Sequence, residues 1–292
     1  MTVKAFREYF SSELKSAYPA MEIQTFFQRL AEAYLGMTRI EVTLNPDKKL
    51  TKSEENRLQM ALKRLLQHEP LQYILGETEF YGLPFLVNSD VLIPRPETEE
   101  LVDWVLSDLK KKAISAESDI NTKRPKILDI GTGSGCIAIS LAKKLEKAQV
   151  FGLDFSEKAL ETAKKNALLS EVSVAFLQQD ILKCESLPQQ YDVIISNPPY
   201  VRALEKVELQ PNVLNHEPAS ALFVADDDAL VFYRKIAALG MQNLVKGGCL
   251  YFEINEYLEA ETRDLVAGFG YKEIILRNDI FGKARMLKAT KP

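Results

Sequence analysis

The stretch Ile127-Leu128-Asp129-Ile130-Gly131-Thr132-Gly133-Ser134-Gly135 limits what this chain can fold into more than any other. A mostly apolar, strand-like run passes directly into three glycines at alternate positions, and a helical pattern follows over 136–145. Glycine adopts the positive φ angles that so sharp a turn requires, and it lets a ligand come close to the backbone. The rhythm then repeats. Candidate strands lie at 150–154, 174–178, 192–196 and 249–254, with short ones near 274–276 and 286–287, and a helix spans 156–169. Strands alternating with helices imply right-handed crossovers and a mostly parallel sheet covered on both faces. The expected fold is therefore α/β and Rossmann-like, with seven strands.

Upstream the pattern is helical. Ile23, Phe26, Phe27, Leu30, Ala31, Tyr34 and Leu35 share one helix face, and Gly36 is a stop signal. Thr51 and Glu54 have the spacing of a capping box for a helix through Leu58, Leu62, Leu65 and Leu66, and Pro70 closes that stretch. From Tyr73 to Val91, aromatic and β-branched residues punctuated by Gly76, Gly82 and Pro84 predict a short β-hairpin. A helix begins near Pro96, with Glu97, Glu99 and Glu100 at the positive end of its dipole, and the polar run 110–123 reads as a surface loop. The chain thus divides into a helical domain over 1–72, a β-hairpin linker over 73–94 and a catalytic domain over 95–292.

Composition narrows the function classes. A net charge of -4 argues against a dedicated nucleic-acid binder, which collects phosphates on a basic stripe. The N-terminus lacks the apolar core of a signal peptide and no apolar run approaches a membrane span, so a soluble, cytoplasmic protein is expected. Cys136, Cys184 and Cys249 are far apart without Cys-x-x-Cys spacing, which suits reduced thiols better than a disulfide framework. His68 and His216 are distant in sequence and without evident partners, so no metal site is expected. The acidic run Asp226-Asp227-Asp228 reads as a loop preceding a helix.

Two stretches carry chemistry. The strand at 150–154 ends in Asp154, placed to accept hydrogen bonds from both ribose hydroxyls of an adenosine cofactor. Three readings of the glycine loop compete: a turn without a ligand, a dinucleotide site, and an S-adenosylmethionine site. The spacing G-x-G-x-G rather than G-x-G-x-x-G disfavours the second. Further on, Asp180 is positioned to accept from an adenine amino group while Ile181 packs on the ring; the plain alternative for Asp180 is a solvated acid at a strand end. The strand at 192–196 runs into Asn197-Pro198-Pro199-Tyr200, whose prolines end the strand and restrict the backbone. The Asn197 side-chain oxygen and the Pro198 carbonyl then form a rigid pair of acceptors for a planar NH2 group. Such a pair orients a poorly nucleophilic nitrogen and stabilises the positive charge that grows on it during methylation.

Gly131-Thr132-Gly133-Ser134-Gly135 together with Asn197-Pro198-Pro199-Tyr200 resembles the N-methyltransferases of exocyclic amines and amides. Two further stretches, Glu69-Pro70-Leu71-Gln72-Tyr73-Ile74-Leu75-Gly76 and Val91-Leu92-Ile93-Pro94-Arg95-Pro96-Glu97-Thr98-Glu99, are similar to signatures of the PrmC/HemK family. That resemblance extends to Asp279-Ile280-Phe281-Gly282 and Arg285, nearly the whole chain. It implies a protein-(glutamine N5) methyltransferase acting on the Gly-Gly-Gln glutamine of class-1 peptide-chain release factors, with S-adenosylmethionine as cofactor. By the same resemblance, Gly131 to Gly135, Asp154, Ile181 and Asn197 contact the cofactor. Asn197 to Tyr200 bind the glutamine, and the N-terminal helices help dock the release factor; separately, a monomer is expected. A base N-methyltransferase acting on adenine or guanine is the alternative. The chain departs from the family at Asn255-Glu256, where the usual pattern carries glycine.

Overall fold

In a computed structural model of the chain, residues 1–115 and 124–292 are described. They form two units, Met1–Gly76 with Gln210–His216, and Glu77–Leu209 with Glu217–Pro292. The first unit contains α1 (Val3–Leu14), α2 (Ala20–Leu35), α3 (Arg39–Leu44), α4 (Lys52–Leu65) and α5 (Leu71–Leu75). Burial of Ile23, Phe27, Leu30, Ala31 and Leu35 confirms the expected inner face of α2, and Gly36 stops the helix at φ 62°. At the start of α4 the Glu54 N–H donates to Thr51 Oγ1 at 3.2 Å and the Thr51 N–H donates to Glu54 Oε2 at 2.7 Å. That reciprocal cap satisfies two backbone donors and is worth about 1 kcal/mol. Residues 73–75, expected to open the hairpin, instead complete α5, because Pro70 precedes its first turn and Gly76 ends it at φ 80°. The two histidines do have neighbours here. The Tyr18 ring lies 5.5 Å from the ring of His68, and His216 Nε2 is 2.8 Å from the Gln67 carbonyl.

The second unit opens with β1 (Glu77–Phe80) and β2 (Leu83–Leu86), an antiparallel hairpin. Both turn residues, Tyr81 and Gly82, have positive φ (53° and 73°), as a two-residue turn matching the strand twist requires. Phe80 and Phe85 of this hairpin are buried with Leu101, Trp104 and Val105 of α6 (Pro96–Ser115). The helix α6 therefore includes residues 110–115, expected to be loop; Lys110 and Lys111 are good helix formers and extend it. The rest of that expected loop, 116–123, lies outside the described residues.

Then come β3 (Lys126–Ile130), α7 (Cys136–Lys144), β4 (Gln149–Asp154), α8 (Glu157–Leu169), β5 (Ala175–Gln178), β6 (Tyr191–Ser196) and a short β7 (Val201–Arg202). After α9 (Pro211–His216), which belongs to the first unit, follow α10 (Ala219–Leu222), β8 (Phe223–Val224), α11 (Val231–Asn243), β9 (Leu244–Glu253), α12 (Glu259–Gly268), β10 (Lys272–Asn278) and β11 (Ala284–Thr290). Seven strands form one sheet in the order β10-β11-β9-β6-β3-β4-β5, and only β11 runs against its neighbours. All seven expected strands are present. β9 starts earlier than expected, and the β6–β9 register shift between Tyr191 and Val193 accommodates the Gly247-Gly248 interruption. Among the described residues no helix is long and apolar enough to cross a membrane.

This order fixes where a ligand sits. From β3 the chain moves outward to β4 and β5, then returns to the other side of β3 to make β6. The loops leaving β3 and β6 diverge at that reversal, and the crevice between them at the carboxyl ends of the strands is the binding position of open α/β sheets.

Candidate active site

The loop after β3 is held by its neighbours as well as by its glycines. Gly131, Gly133 and Gly135 have φ of 74°, 54° and 83°. The Gly131 and Thr132 N–H groups both donate to the Leu153 carbonyl of β4, at 2.8 and 3.0 Å, and the Gly133 N–H donates to Asp154 Oδ2 at 2.9 Å. Beneath the loop, Thr132 Oγ1 donates to Asp129 Oδ2 at 2.6 Å. Asp129 is buried, which pushes its carboxyl up to about 7, against the opposing pull of the Thr132 hydroxyl. On the far side, Asn166 of α8 donates to the carbonyls of Ser134 (2.9 Å) and Leu86 (3.0 Å) and accepts from the Leu86 N–H (2.7 Å). The glycines divide their work. A Cβ on Gly135 would lie 2.8 Å from Ile139 Cδ1 and 3.2 Å from Ala163 Cβ, so this one allows α7 and α8 to approach. A Cβ on Gly131 would stand 4.0 Å from the Asn197 carbonyl oxygen, across the crevice.

Between the two loops is a cavity of about 390 Å³, within the size range of small-molecule sites. Of the residues expected from sequence, Gly131, Gly133, Asp154, Asp180, Ile181, Asn197, Pro198 and Pro199 line it; Thr132, Ser134, Gly135 and Tyr200 stand behind this wall. Phe155 lines it too and leaves 54% of its surface exposed, an aromatic face that pattern reasoning passed over. Each Asp154 oxygen already accepts one backbone N–H, from Gly133 at 2.9 Å and Ser156 at 3.0 Å. A carboxylate has about four acceptor positions, so this one retains capacity for a pair of hydroxyls. Burial raises its pKa. Asp180 behaves differently: it caps its own turn at the Leu182 N–H (3.0 Å) and pairs with Lys183 (3.1 Å), which lowers its pKa. The mix of apolar walls, an acid with spare acceptor capacity and a glycine loop fits an adenosine-bearing cofactor.

Another wall of the cavity is tied down by a single acid. Glu217 accepts from the Ile93 N–H at 3.3 Å and from the Arg95 guanidinium at 2.5 Å. It thereby fastens the segment carrying Val91 and Leu92 to the one carrying Pro218, Ser220 and Ala221, all of which line the cavity.

The segment after β6 is supported from below by side chains that sequence reasoning did not single out. Asn197 Nδ2 donates to Thr98 Oγ1 at 3.2 Å, and Thr98 Oγ1 donates to Glu253 Oε2 at 2.6 Å. The other Glu253 oxygen accepts from the Tyr200 hydroxyl at 3.0 Å. Burial raises the Glu253 pKa, opposed by the hydrogen bonds of Thr98 and Tyr200 and by the nearby Arg285 charge. Burial likewise pushes the Tyr200 phenol up, so it stays a donor. Glu253 was findable: it is the one ionisable carboxylate in Cys249-Leu250-Tyr251-Phe252-Glu253-Ile254, and a charge in so apolar a strand needs buried partners. Asn255, where a departure from the family pattern was expected, uses its side chain to brace the loop. Its Nδ2 donates to the Tyr200 carbonyl at 2.9 Å and its Oδ1 accepts from the Tyr257 N–H at 2.9 Å.

Comparison with known proteins agrees with this architecture. Residues 6–76 match the model of the PrmC N-terminal domain, and residues 121–265 match that of a methyltransferase domain. A release factor glutamine methyltransferase of Flavobacterium psychrophilum is 50% identical over 288 residues, 99% of each chain. One of Bacteroides thetaiotaomicron is 40% identical over 284 residues, 97% of this chain and 98% of the other. Among solved structures, the hMettl16 catalytic domain in complex with an RNA hairpin superposes with a TM-score of 0.54 at 16% identity, covering 82% of this chain and 81% of that one, a likeness of fold. The chain is an S-adenosylmethionine-dependent methyltransferase. With near-complete coverage on both sides and half of all positions identical, it belongs to the release factor glutamine methyltransferase family.

Proposed function

We propose that this chain methylates the side-chain amide nitrogen (N5) of the glutamine in the Gly-Gly-Gln loop of class-1 peptide-chain release factors, as a cytoplasmic monomer that acts on protein and not on nucleic acid. The observation that carries this reading is the meeting of the glycine loop and Asn197-Pro198-Pro199 in one cavity at the carboxyl ends of β3 and β6. When bound, S-adenosylmethionine supplies a methyl group on a positively charged sulfur. Asp154 would hold the ribose, Ile181 would pack on the adenine, and the glycine loop would admit the amino-acid end of the cofactor. Asn197 Oδ1 and the Pro198 carbonyl accept the two N–H bonds of the glutamine amide, turning its lone pair toward the methyl. They would also stabilise the positive charge that appears on nitrogen as the N–C bond forms and the methyl–sulfur bond breaks, its electron pair staying on sulfur as S-adenosylhomocysteine leaves. No residue has to remove a proton first, since the nitrogen would give up its extra proton, to solvent, only after its charge has risen. The test is mass spectrometry of release factors purified from cells with and without this protein. A single methyl on the glutamine amide in the first and none in the second is expected. An unchanged glutamine, or transfer of labelled methyl to nucleic acid, would overturn the proposal in favour of a base methyltransferase.

A further inference from the structure

Asn197 can serve as a substrate acceptor only if its amide is turned the right way round. The side chain has an oxygen and a nitrogen of nearly equal size, and either fits the same space. Facing the two N–H bonds of a glutamine amide, the oxygen accepts; the NH2 group would meet them donor to donor. Something must break this symmetry.

The chain of hydrogen bonds behind the cavity breaks it. Glu253, as a carboxylate, has only acceptors to offer. Thr98 Oγ1, 2.6 Å from Glu253 Oε2, therefore spends its one proton on that bond. Having donated, the hydroxyl can only accept from the group on its other side, Asn197 at 3.2 Å. The Asn197 atom facing Thr98 must then be Nδ2, which leaves Oδ1 for the substrate. Tyr200 donates to the second Glu253 oxygen at 3.0 Å, so both carboxylate oxygens receive a proton and neither has one to give. We propose that Glu253 and Thr98 act as a polarity relay, a pair of positioning residues that fix which face of Asn197 meets the substrate amide.

This inference rests on the amide-methylation reading above, and its consequences are sharp. Neither Thr98 nor Glu253 lines the cavity, so altering them acts on it only through Asn197. Thr98→Val keeps the shape but removes both the donor to Glu253 and the acceptor for Asn197. Thr98→Ser keeps both. Glu253→Gln is subtler, because a glutamine has one oxygen and cannot accept from Thr98 and Tyr200 together. If its NH2 faces Thr98, the threonine hydroxyl must donate to Asn197, which then turns its oxygen inward and presents NH2 to the substrate.

The experiment measures kcat, KM for intact release factor and S-adenosylmethionine affinity for the full-length protein and these three variants. Alongside, NMR of the Asn197 side-chain NH2, assigned by its loss in Asn197→Ala, reports the relay without any cofactor. At saturating cofactor, Thr98→Val should lose on the order of tenfold to a hundredfold in kcat, and Glu253→Gln should do the same where its NH2 faces Thr98. Thr98→Ser should stay within about threefold of wild type. In wild type and Thr98→Ser one Asn197 NH2 proton should exchange slowly with solvent, and in Thr98→Val that protection should vanish. A Thr98→Val enzyme that binds cofactor normally and turns over like wild type would overturn the relay, as would protection surviving in that variant. If wild type itself leaves the glutamine unmodified, the reading of the reaction fails instead, and the NMR still decides whether the relay exists.

Discussion

At the scale of single residues, three side chains make separable predictions. Asp154 keeps acceptor capacity after satisfying Gly133 and Ser156, so Asp154→Ala should weaken S-adenosylmethionine binding by roughly 1.5–3 kcal/mol, the worth of charge-assisted hydrogen bonds. Titration calorimetry that finds unchanged affinity would remove it from the ribose. Asn197→Ala deletes one of two amide acceptors and should slow single-turnover methyl transfer at saturating cofactor by on the order of a hundredfold. Near-normal transfer would refute that role. Asp129 predicts a pH dependence of stability instead. Burial raises its carboxyl from 3.8 to about 7, with Thr132 and the Ala138 backbone pulling the other way and Asp154 adding to the rise. The protonated form therefore favours the fold: its contribution is complete below the ordinary carboxylate pKa and is lost as pH rises through about 7. Urea unfolding of the cofactor-free protein should show stability falling by on the order of a few kcal/mol across that window, with a flatter profile for Asp129→Asn. Identical profiles for the two proteins would contradict this account.

At the scale of elements, Asn166 decides how the glycine loop is held. One buried side chain on α8 bonds to both backbone groups of Leu86 on β2 and to the Ser134 carbonyl. Asn166→Ala leaves those groups without partners and should cost about 2–4 kcal/mol of stability by chemical denaturation. A loss below about 1 kcal/mol would mean that water or a rearranged backbone replaces these bonds. This tie also explains the limits of reading the sequence. Periodicity revealed all seven strands of the large sheet and the helices at 136–145 and 156–169, because their apolar faces are local patterns. The fate of Tyr73 to Leu75 was hidden, since an aromatic, β-branched run suits a strand as well as a short buried helix until Pro70 and Gly76 are weighed. Cavity-lining residues announced by local turns, Gly131 and Asn197 among them, were legible. Thr98 and Glu253 were not assigned, because the hydrogen bond that joins them links positions 155 apart. Thr132, Ser134 and Gly135 belong to the same legible motif but are not among the residues lining the cavity.

At the scale of the whole molecule, the prediction concerns what the enzyme accepts. A release factor presents its Gly-Gly-Gln loop on a folded body, whereas a free peptide has to be ordered on binding and lacks remote contacts. Intact release factor should therefore be methylated far more efficiently than a peptide bearing the loop. Equal kcat/KM for the two would show that nothing beyond the loop is recognised. Testing the helical unit by cutting it away is less simple than its position at the front of the chain suggests. Gln210–His216, including α9, belongs to that unit although it lies between β7 and β8 of the other. The polypeptide therefore crosses between units three times, after Gly76, after Leu209 and after His216. A break at the first crossing would strand seven residues of the helical unit inside its neighbour. Exchanging one unit for a foreign counterpart would therefore need three joints to be made correctly at once, where a simple two-domain chain needs one.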